Sequence, residues 1–231
     1  MVVVPTYNEK ENLTALIPKL LELSPVFDIL VCDDGSPDGS QDVVRLWAQK
    51  TEGHDKQVHL LARTKKEGLG RAYLASFEWA LNRGYAAVIE MDADFSHRPH
   101  DLVRIIEALP AYDFIVGSRY VPGGATLNWG LIRKLISRGG SLYSRLILGY
   151  PLRDWTGGFN AWKASTLMKM SLSTVQSNGY SFQIELKYRA LRADCRGHEV
   201  PILFEDRRVG QSKMSLKIVL EAFYRVWLIR S

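Results

Sequence analysis

Two acidic clusters each close an apolar run. Ile29 to Cys32 leads into Asp33 and Asp34, and Ala87 to Met91 leads into Asp92, Ala93 and Asp94. In an extended segment, residues two apart point the same way, roughly 7 Å apart along the strand. Asp92 and Asp94 are therefore expected to look into one crevice. Carboxylates in such small number suit magnesium, which is usually held by one or two of them together with substrate phosphates. A nucleotide diphosphate fits that arrangement, because the cation relieves its repulsion from the acids. Singly, each cluster reads more readily as a strand end or helix cap. Two clusters on strands of one sheet point together to a site.

The other reactive side chains say less. Thirty Lys and Arg against 25 Asp and Glu give a formal charge of +5, which favours phosphates, lipid headgroups or nucleic acid without choosing among them. Most of these cations read as solvated surface. His97 and His100 flank Arg98-Pro99 and read as loop caps or exposed side chains rather than metal ligands. Cys32 and Cys195 are far apart, in no metal-ligand spacing, and read as reduced thiols.

The elements that must position these groups follow from periodicity. Val2–Val4, Ile29–Cys32, Val58–Ala62, Ala87–Met91 and Phe114–Val116 read as strands. Between them lie helical patterns: one with Leu13, Leu16, Ile17, Leu20 and Leu21, in which Pro18 predicts a kink or restart, one from Gln41 with Ser40 as N-cap, one ending near Gly84, and one near Leu102 to Leu109. Alternation of this kind implies a mostly parallel sheet covered on both faces, with its functional turns at the carboxyl edge. Further on, Ile132–Leu148 reads as a helix broken at Gly139-Gly140, Phe182–Leu191 as a helix and Glu199–Phe204 as a strand. No repeat, linker or low-complexity tract interrupts the chain, so residues 1–231 read as one domain.

Common phosphate-binding devices are missing. The first strand-to-helix turn, Pro5-Thr6-Tyr7-Asn8-Glu9, has no glycine, whereas a dinucleotide fold needs several there. No P-loop signature occurs. Gly68-Leu69-Gly70 lacks a third glycine and reads as a turn with helix entry.

Several stretches, in order and across nearly the whole chain, resemble the dolichyl-phosphate mannose synthases of the inverting family-two glycosyltransferases. They are Val4-Pro5-Thr6-Tyr7-Asn8-Glu9, Asp33-Asp34-Gly35-Ser36-Pro37-Asp38-Gly39, Gly68-Leu69-Gly70 and Met91-Asp92-Ala93-Asp94-Phe95-Ser96-His97. Gly117-Ser118-Arg119-Tyr120, Ser137-Arg138-Gly139, Asp154-Trp155-Thr156-Gly157-Gly158-Phe159, Asp206-Arg207 and Gly210-Gln211-Ser212-Lys213 complete the set. The resemblance implies the α/β nucleotide-sugar fold called GT-A. It also implies GDP-mannose as donor, a polyprenyl (dolichyl-type) phosphate as acceptor, and Mg2+ or Mn2+ as cofactor. Carried over by residue, it puts the nucleotide on Pro5, Tyr7 and Glu9, with Cys32 and Asp34 beside base and ribose. Asp92, Ala93 and Asp94 become the metal and diphosphate segment, with Asp94 the principal ligand. Arg119, Arg133, Arg207 and Lys213 become cationic contacts, Arg207 and Lys213 to the donor, Arg133 to the acceptor phosphate, and Arg119 to both.

The chemistry expected from that resemblance is electrostatic. Negative charge develops on the leaving nucleotide, where a cation on Asp92 and Asp94 acts as Lewis acid and Arg207 and Lys213 add preorganised charge. A lipid phosphate is already ionised near neutrality and needs no strong base. In-line attack would invert the anomeric carbon.

No apolar run approaches the ~18 residues of a spanning helix, and the N-terminus does not read as a signal peptide. Many relatives of the resembled family carry C-terminal membrane helices, and this sequence does not. The expected placement is peripheral, at the cytoplasmic face of a membrane, with an anchoring subunit or domain as partner. Residues 129–150 and 214–231 mix apolar, aromatic and basic residues as helices lying in a headgroup layer do. Two other readings stay open: a transferase using UDP-glucose or UDP-N-acetylglucosamine, and a non-catalytic nucleotide-binding subunit, which the intact Asp34, Asp92 and Asp94 disfavour. Nucleic-acid binding is disfavoured by the lack of any recognised motif.

Overall fold

A computed structural model describes residues 1–206 and 224–230. Strand and helix alternate first through β1 (Val2–Thr6), α1 (Lys10–Leu21), β2 (Ile29–Asp33), α2 (Ser40–Thr51), β3 (Val58–Ala62), α3 (Leu69–Leu81), β4 (Ala87–Glu90), α4 (Pro99–Ala108) and β5 (Phe114–Ser118). Then come β6 (Ala125–Thr126), α5 (Leu131–Leu148), β7 (Asn160–Lys163), α6 (Ala164–Lys169), α7 (Gly179–Arg192), β8 (Gly197–Pro201) and β9 (Leu203–Phe204). Residues 224–230 are helical.

Seven strands form one sheet in the order β3-β2-β1-β4-β7-β5-β8, and β6 pairs with β9 in a small second sheet. Pairing is parallel except at β7, which runs antiparallel to both β4 and β5. The mostly parallel sheet read from the sequence is therefore present, with one reversed strand in it.

Alternation along the strands sends side chains to two cores. Val2 and Val4 of β1 join Ile29 and Val31 under Leu13, Leu16, Ile17 and Leu20 of α1, Val44 of α2, and Leu102 and Ile105 of α4. Val3, Leu30 and Val88 face the other way, onto Tyr73 and Phe77 of α3, Leu148 of α5, Leu167 of α6, and Phe182 and Leu186 of α7. Val226 also joins this second core. Each large apolar side chain buried this way stabilises the fold by about 1.5–3 kcal/mol.

Local expectations needed revision in several places. Pro18 does not break α1, which ends only three residues later at Leu21, so the missing N–H costs one bond in the last turn. Gly39, at φ 87°, and not Ser40, caps α2. The Ser40 hydroxyl instead joins two loops: it donates to Asp38 Oδ1 at 2.6 Å and accepts the Glu9 N–H at 3.1 Å. α5 runs unbroken through Gly139-Gly140. The Trp155–Thr156 loop packs against this stretch: Thr156 Cγ2 lies 3.8 Å, an ordinary contact distance, from where a Gly140 Cβ would stand, and Trp155 N–H reaches Ser141 Oγ at 3.3 Å. The expected strand Glu199–Phe204 divides into β8 and β9, paired to different strands. The division follows Pro201, which has no N–H to give a ladder. β6, β7 and α6 had no expectation.

Candidate active site

Strand order creates the crevice. From β1 the chain moves outward to β2 and β3, then returns across β1 to β4, so connections leaving β1 and β4 diverge at their carboxyl ends. Ligands of open α/β sheets bind at such a switch point. β5 runs parallel to β4 because both oppose β7. The residues after β5 and those before β7 thus come to the same edge. Pro5, Tyr7, Glu9, Cys32, Asp34, Asp92, Ala93, Asp94 and Arg119 are all brought there.

On the β1–β2 side the backbone is stapled. Asn8, in the left-handed region at φ 59°, donates its N–H to Ser36 Oγ at 2.8 Å, and Lys10 N–H bonds Asp38 Oδ2 at 3.1 Å. The neighbouring aspartates divide the work. Asp33 is spent inside its turn, accepting from Gly35 N–H, Ser36 N–H and Gln41 Nε2, while Asp34 pairs with Arg63, which also holds Glu67. Pro5 lies opposite Cys32 in the ladder. Burial pushes the Cys32 thiol up to about 11, which makes it an inert wall. Tyr7 is partly exposed, with Lys66 Nζ 3.7 Å from its ring centroid. Glu9 accepts from Asn12 Nδ2 at 2.6 Å.

The second acidic cluster lies beyond the end of β4, in a turn rather than an extended strand. Phe95 at φ 62° bends that turn. Asp94 is buried and accepts from Ser96 N–H at 3.1 Å and Ser96 Oγ at 2.6 Å, whereas the Asp92 side chain is 30% exposed. Of the two roles expected for His97, loop capping holds and exposure does not. The side chain is buried, its Nδ1 accepts the Asp92 N–H at 3.0 Å, and burial holds its pKa below the ordinary value. His100 is exposed.

Arg119 follows β5 and is almost wholly buried. Its Nε and Nη2 reach the two oxygens of Asp154 at 2.7 Å each, and Nη2 also donates to Thr156 Oγ1 at 2.8 Å. Its guanidinium carbon lies 5.6 Å from the Trp129 ring centroid and 5.4 Å from that of Phe204. Arg133, on the first turns of α5, meets the same indole at 3.9 Å and pairs with Asp206 at 2.6 Å. The structure therefore brings Arg119 and Arg133 together on Trp129. Arg207 and Lys213 lie outside the described residues.

Beneath the edge runs a buried polar chain that sequence reasoning missed. Glu90 accepts from Asn160 Nδ2 at 2.7 Å and Gln183 Nε2 at 3.3 Å. Lys187 is fully buried and donates to the Trp155 and Gly157 carbonyls at 3.1 and 2.7 Å, holding the Asp154–Gly157 loop from below. Burial pushes the Glu90 carboxyl up and the Lys187 ammonium down, against the pull of neighbouring charges. In sequence Glu90 is the one charge in its apolar run, while Lys187 is one of three charges in Phe182–Leu191 and carries no distinguishing signal.

Residues 1–174 match the family model described as glycosyl transferase family 2. The chain belongs to glycosyl transferase family 2. It is 47% identical over 226 residues to the undecaprenyl-phosphate mannosyltransferase of Micrococcus luteus, covering 98% of this chain and 91% of that protein. It is 45% identical over 233 residues to the polyprenol monophosphomannose synthase of Mycolicibacterium smegmatis, covering 100% of this chain and 87% of that one. Among solved structures it is similar to glucosyl-3-phosphoglycerate synthase of Mycobacterium tuberculosis in complex with Mn2+, UDP and glucosyl-3-phosphoglycerate. That match has a TM-score of 0.66 at 17% identity, and covers 99% of this chain and 77% of that one. The family 2 member described here thus has the GT-A fold implied by its motifs.

Proposed function

We propose that this chain transfers mannose from GDP-mannose to a polyprenyl phosphate with inversion, at the cytoplasmic face of a membrane. The carrying observation is identity of 45–47%, over nearly the full chain, to two proteins named for mannose transfer to such lipids. The crevice supports the same reading. Asp92 and Asp94 offer hard oxygen donors, and among the described residues no three His, Cys, Asp or Glu side chains converge. That donor set fits Mg2+ or Mn2+ shared with phosphate oxygens. Such a cation supplies Lewis-acid charge to the diphosphate.

The chain's own residues do the rest. Pro5, Tyr7, Glu9, Cys32 and Asp34 line the nucleotide, and Ala93 lets backbone approach the diphosphate. Arg119 and Arg133, fixed against Trp129, receive the acceptor phosphate, and Arg119 also faces the donor. Arg207 and Lys213 add positive charge at the leaving group. α5 lies in the headgroup layer. Its Leu131, Leu135 and Leu146 are 79%, 72% and 72% exposed, amid Arg133, Lys134, Arg138 and Arg145. No helix among the described residues is long and apolar enough to cross a membrane.

The test offers polyprenyl phosphate with radiolabelled GDP-mannose, UDP-glucose or UDP-N-acetylglucosamine, each with and without Mn2+. Label is expected in the lipid phase only from GDP-mannose with metal, and Asp94→Ala is expected to abolish it without unfolding the chain. Lipid labelling from a UDP-sugar alone, or full activity of Asp94→Ala, contradicts the reading.

A further inference from the structure

His97 is held with unusual care for a side chain outside the proposed ligand set. It is 1% exposed, stacked on Phe159 at 4.6 Å between centroids and met edge-on by Phe204 at 5.3 Å. Its Nδ1 accepts the Asp92 N–H at 3.0 Å. A nitrogen that accepts a hydrogen bond carries no proton, so the proton of the ring sits on Nε2, and Nε2 is a donor. That Nε2–H has no hydrogen-bond partner among the described residues. A buried donor left unsatisfied costs about 1–3 kcal/mol. A phenyl ring would fill the same aromatic slot without the unmet Nε2–H, at the loss of the bond from the Asp92 N–H. The acidic oxygen paired with it, Asp92 Oδ2, stands 3.9 Å away, beyond hydrogen-bond reach, on a side chain that is 30% exposed.

Carboxylates that ligate metals are themselves oriented by hydrogen bonds from a surrounding shell, and losing such a partner typically costs 10–100-fold in metal affinity. We propose that His97 is a positioning residue for Asp92: on binding of a divalent cation and nucleotide diphosphate, Nε2–H closes onto Oδ2 and leaves the other carboxylate oxygen to the cation. The inference rests on the proposed cation site. One ring would thereby fix Asp92 twice, by its backbone N–H and by its carboxylate.

The decisive measurement is Mn2+ affinity in the presence of GDP, read from the electron paramagnetic resonance of free Mn2+, with thermal denaturation to verify folding. His97→Phe keeps the packing and removes both polar atoms. It is expected to weaken Mn2+ binding about 10–100-fold. His97→Gln, whose amide extends toward the Nε2 position, is expected to recover most of the affinity. His97→Asn, which keeps an acceptor for the Asp92 N–H but lacks the reach to its carboxylate, is expected to bind as weakly as His97→Phe. It carries the test if the phenylalanine variant fails to fold. Wild-type affinity in His97→Phe or His97→Asn, or no recovery in His97→Gln, overturns the role of His97 alone. A wild type that takes up no Mn2+ with GDP overturns the cation site, and the role of His97 with it.

Discussion

Asp154 accepts four hydrogen bonds beside the crevice. One oxygen accepts Arg119 N–H and Nε, the other accepts Arg119 Nη2 and Gly157 N–H. Burial alone would raise its pKa, but the charge and bonds of Arg119 outweigh burial and hold it below the ordinary carboxylate value. A depressed carboxyl contributes stability that is full above its unfolded pKa and is lost as pH falls through the folded one. Asp154→Asn strands the buried Arg119 and is expected to cost about 3–5 kcal/mol near neutrality. That gap should shrink below about pH 4. Urea denaturation of both proteins from about pH 7 down to about pH 2 measures it, and a gap undiminished at the acid end removes the ionised pair as the cause. At this scale adjacent letters can mislead. Asp33 and Asp34 are the same residue type at adjacent positions, yet one builds a turn and the other meets Arg63, because β2 ends between them.

Among the elements, α5 shows how one helix divides its faces. Gly140 and Ser141 meet the Trp155–Thr156 loop and Ser144 is buried, while Leu131, Leu135, Leu142 and Leu146 remain exposed on another face. The sequence periodicity carried this amphipathic character, but it read the paired glycines as a break. The helix continues because Gly140 and Ser141 pack beside the Trp155–Thr156 loop at ordinary contact distance, and a contact from elsewhere in the chain is something local propensity cannot contain. Because Leu135 and Leu146 make little contact within the fold, Leu135→Glu with Leu146→Glu is expected to leave stability within about 0.5 kcal/mol. If the face enters lipid, each leucine contributes about 1.5 kcal/mol or more, roughly tenfold in partitioning. Flotation with anionic liposomes reads this directly. Equal flotation of the double variant and the parent would take α5 out of the membrane contact.

Across the molecule, the two cores share one sheet, and β1, β2, β4, β5 and β7 each send side chains into both. We expect residues 1–231 to unfold as one unit. Phe77→Ala on one face should cost about 3–5 kcal/mol and Leu16→Ala on the other about 2–5 kcal/mol, both lowering the same calorimetric transition. Two transitions, each sensitive to only one substitution, would divide the chain into separate units.

The strand–helix alternation and the carboxyl-edge location of Asp34, Asp92 and Asp94 were legible from residue order alone. Parallel pairing forces every β-to-α turn to one edge, whatever its loops do. Tertiary structure decided what long-range contact decides. Reversed β7 entered the sheet between β4 and β5. Arg119 was drawn into a buried pair with Asp154 beside Trp129, and Lys187 was buried whole beneath the Asp154–Gly157 loop. A buried charge is tolerated only where distant residues supply its partners, and neighbours in sequence do not reveal which residues those are.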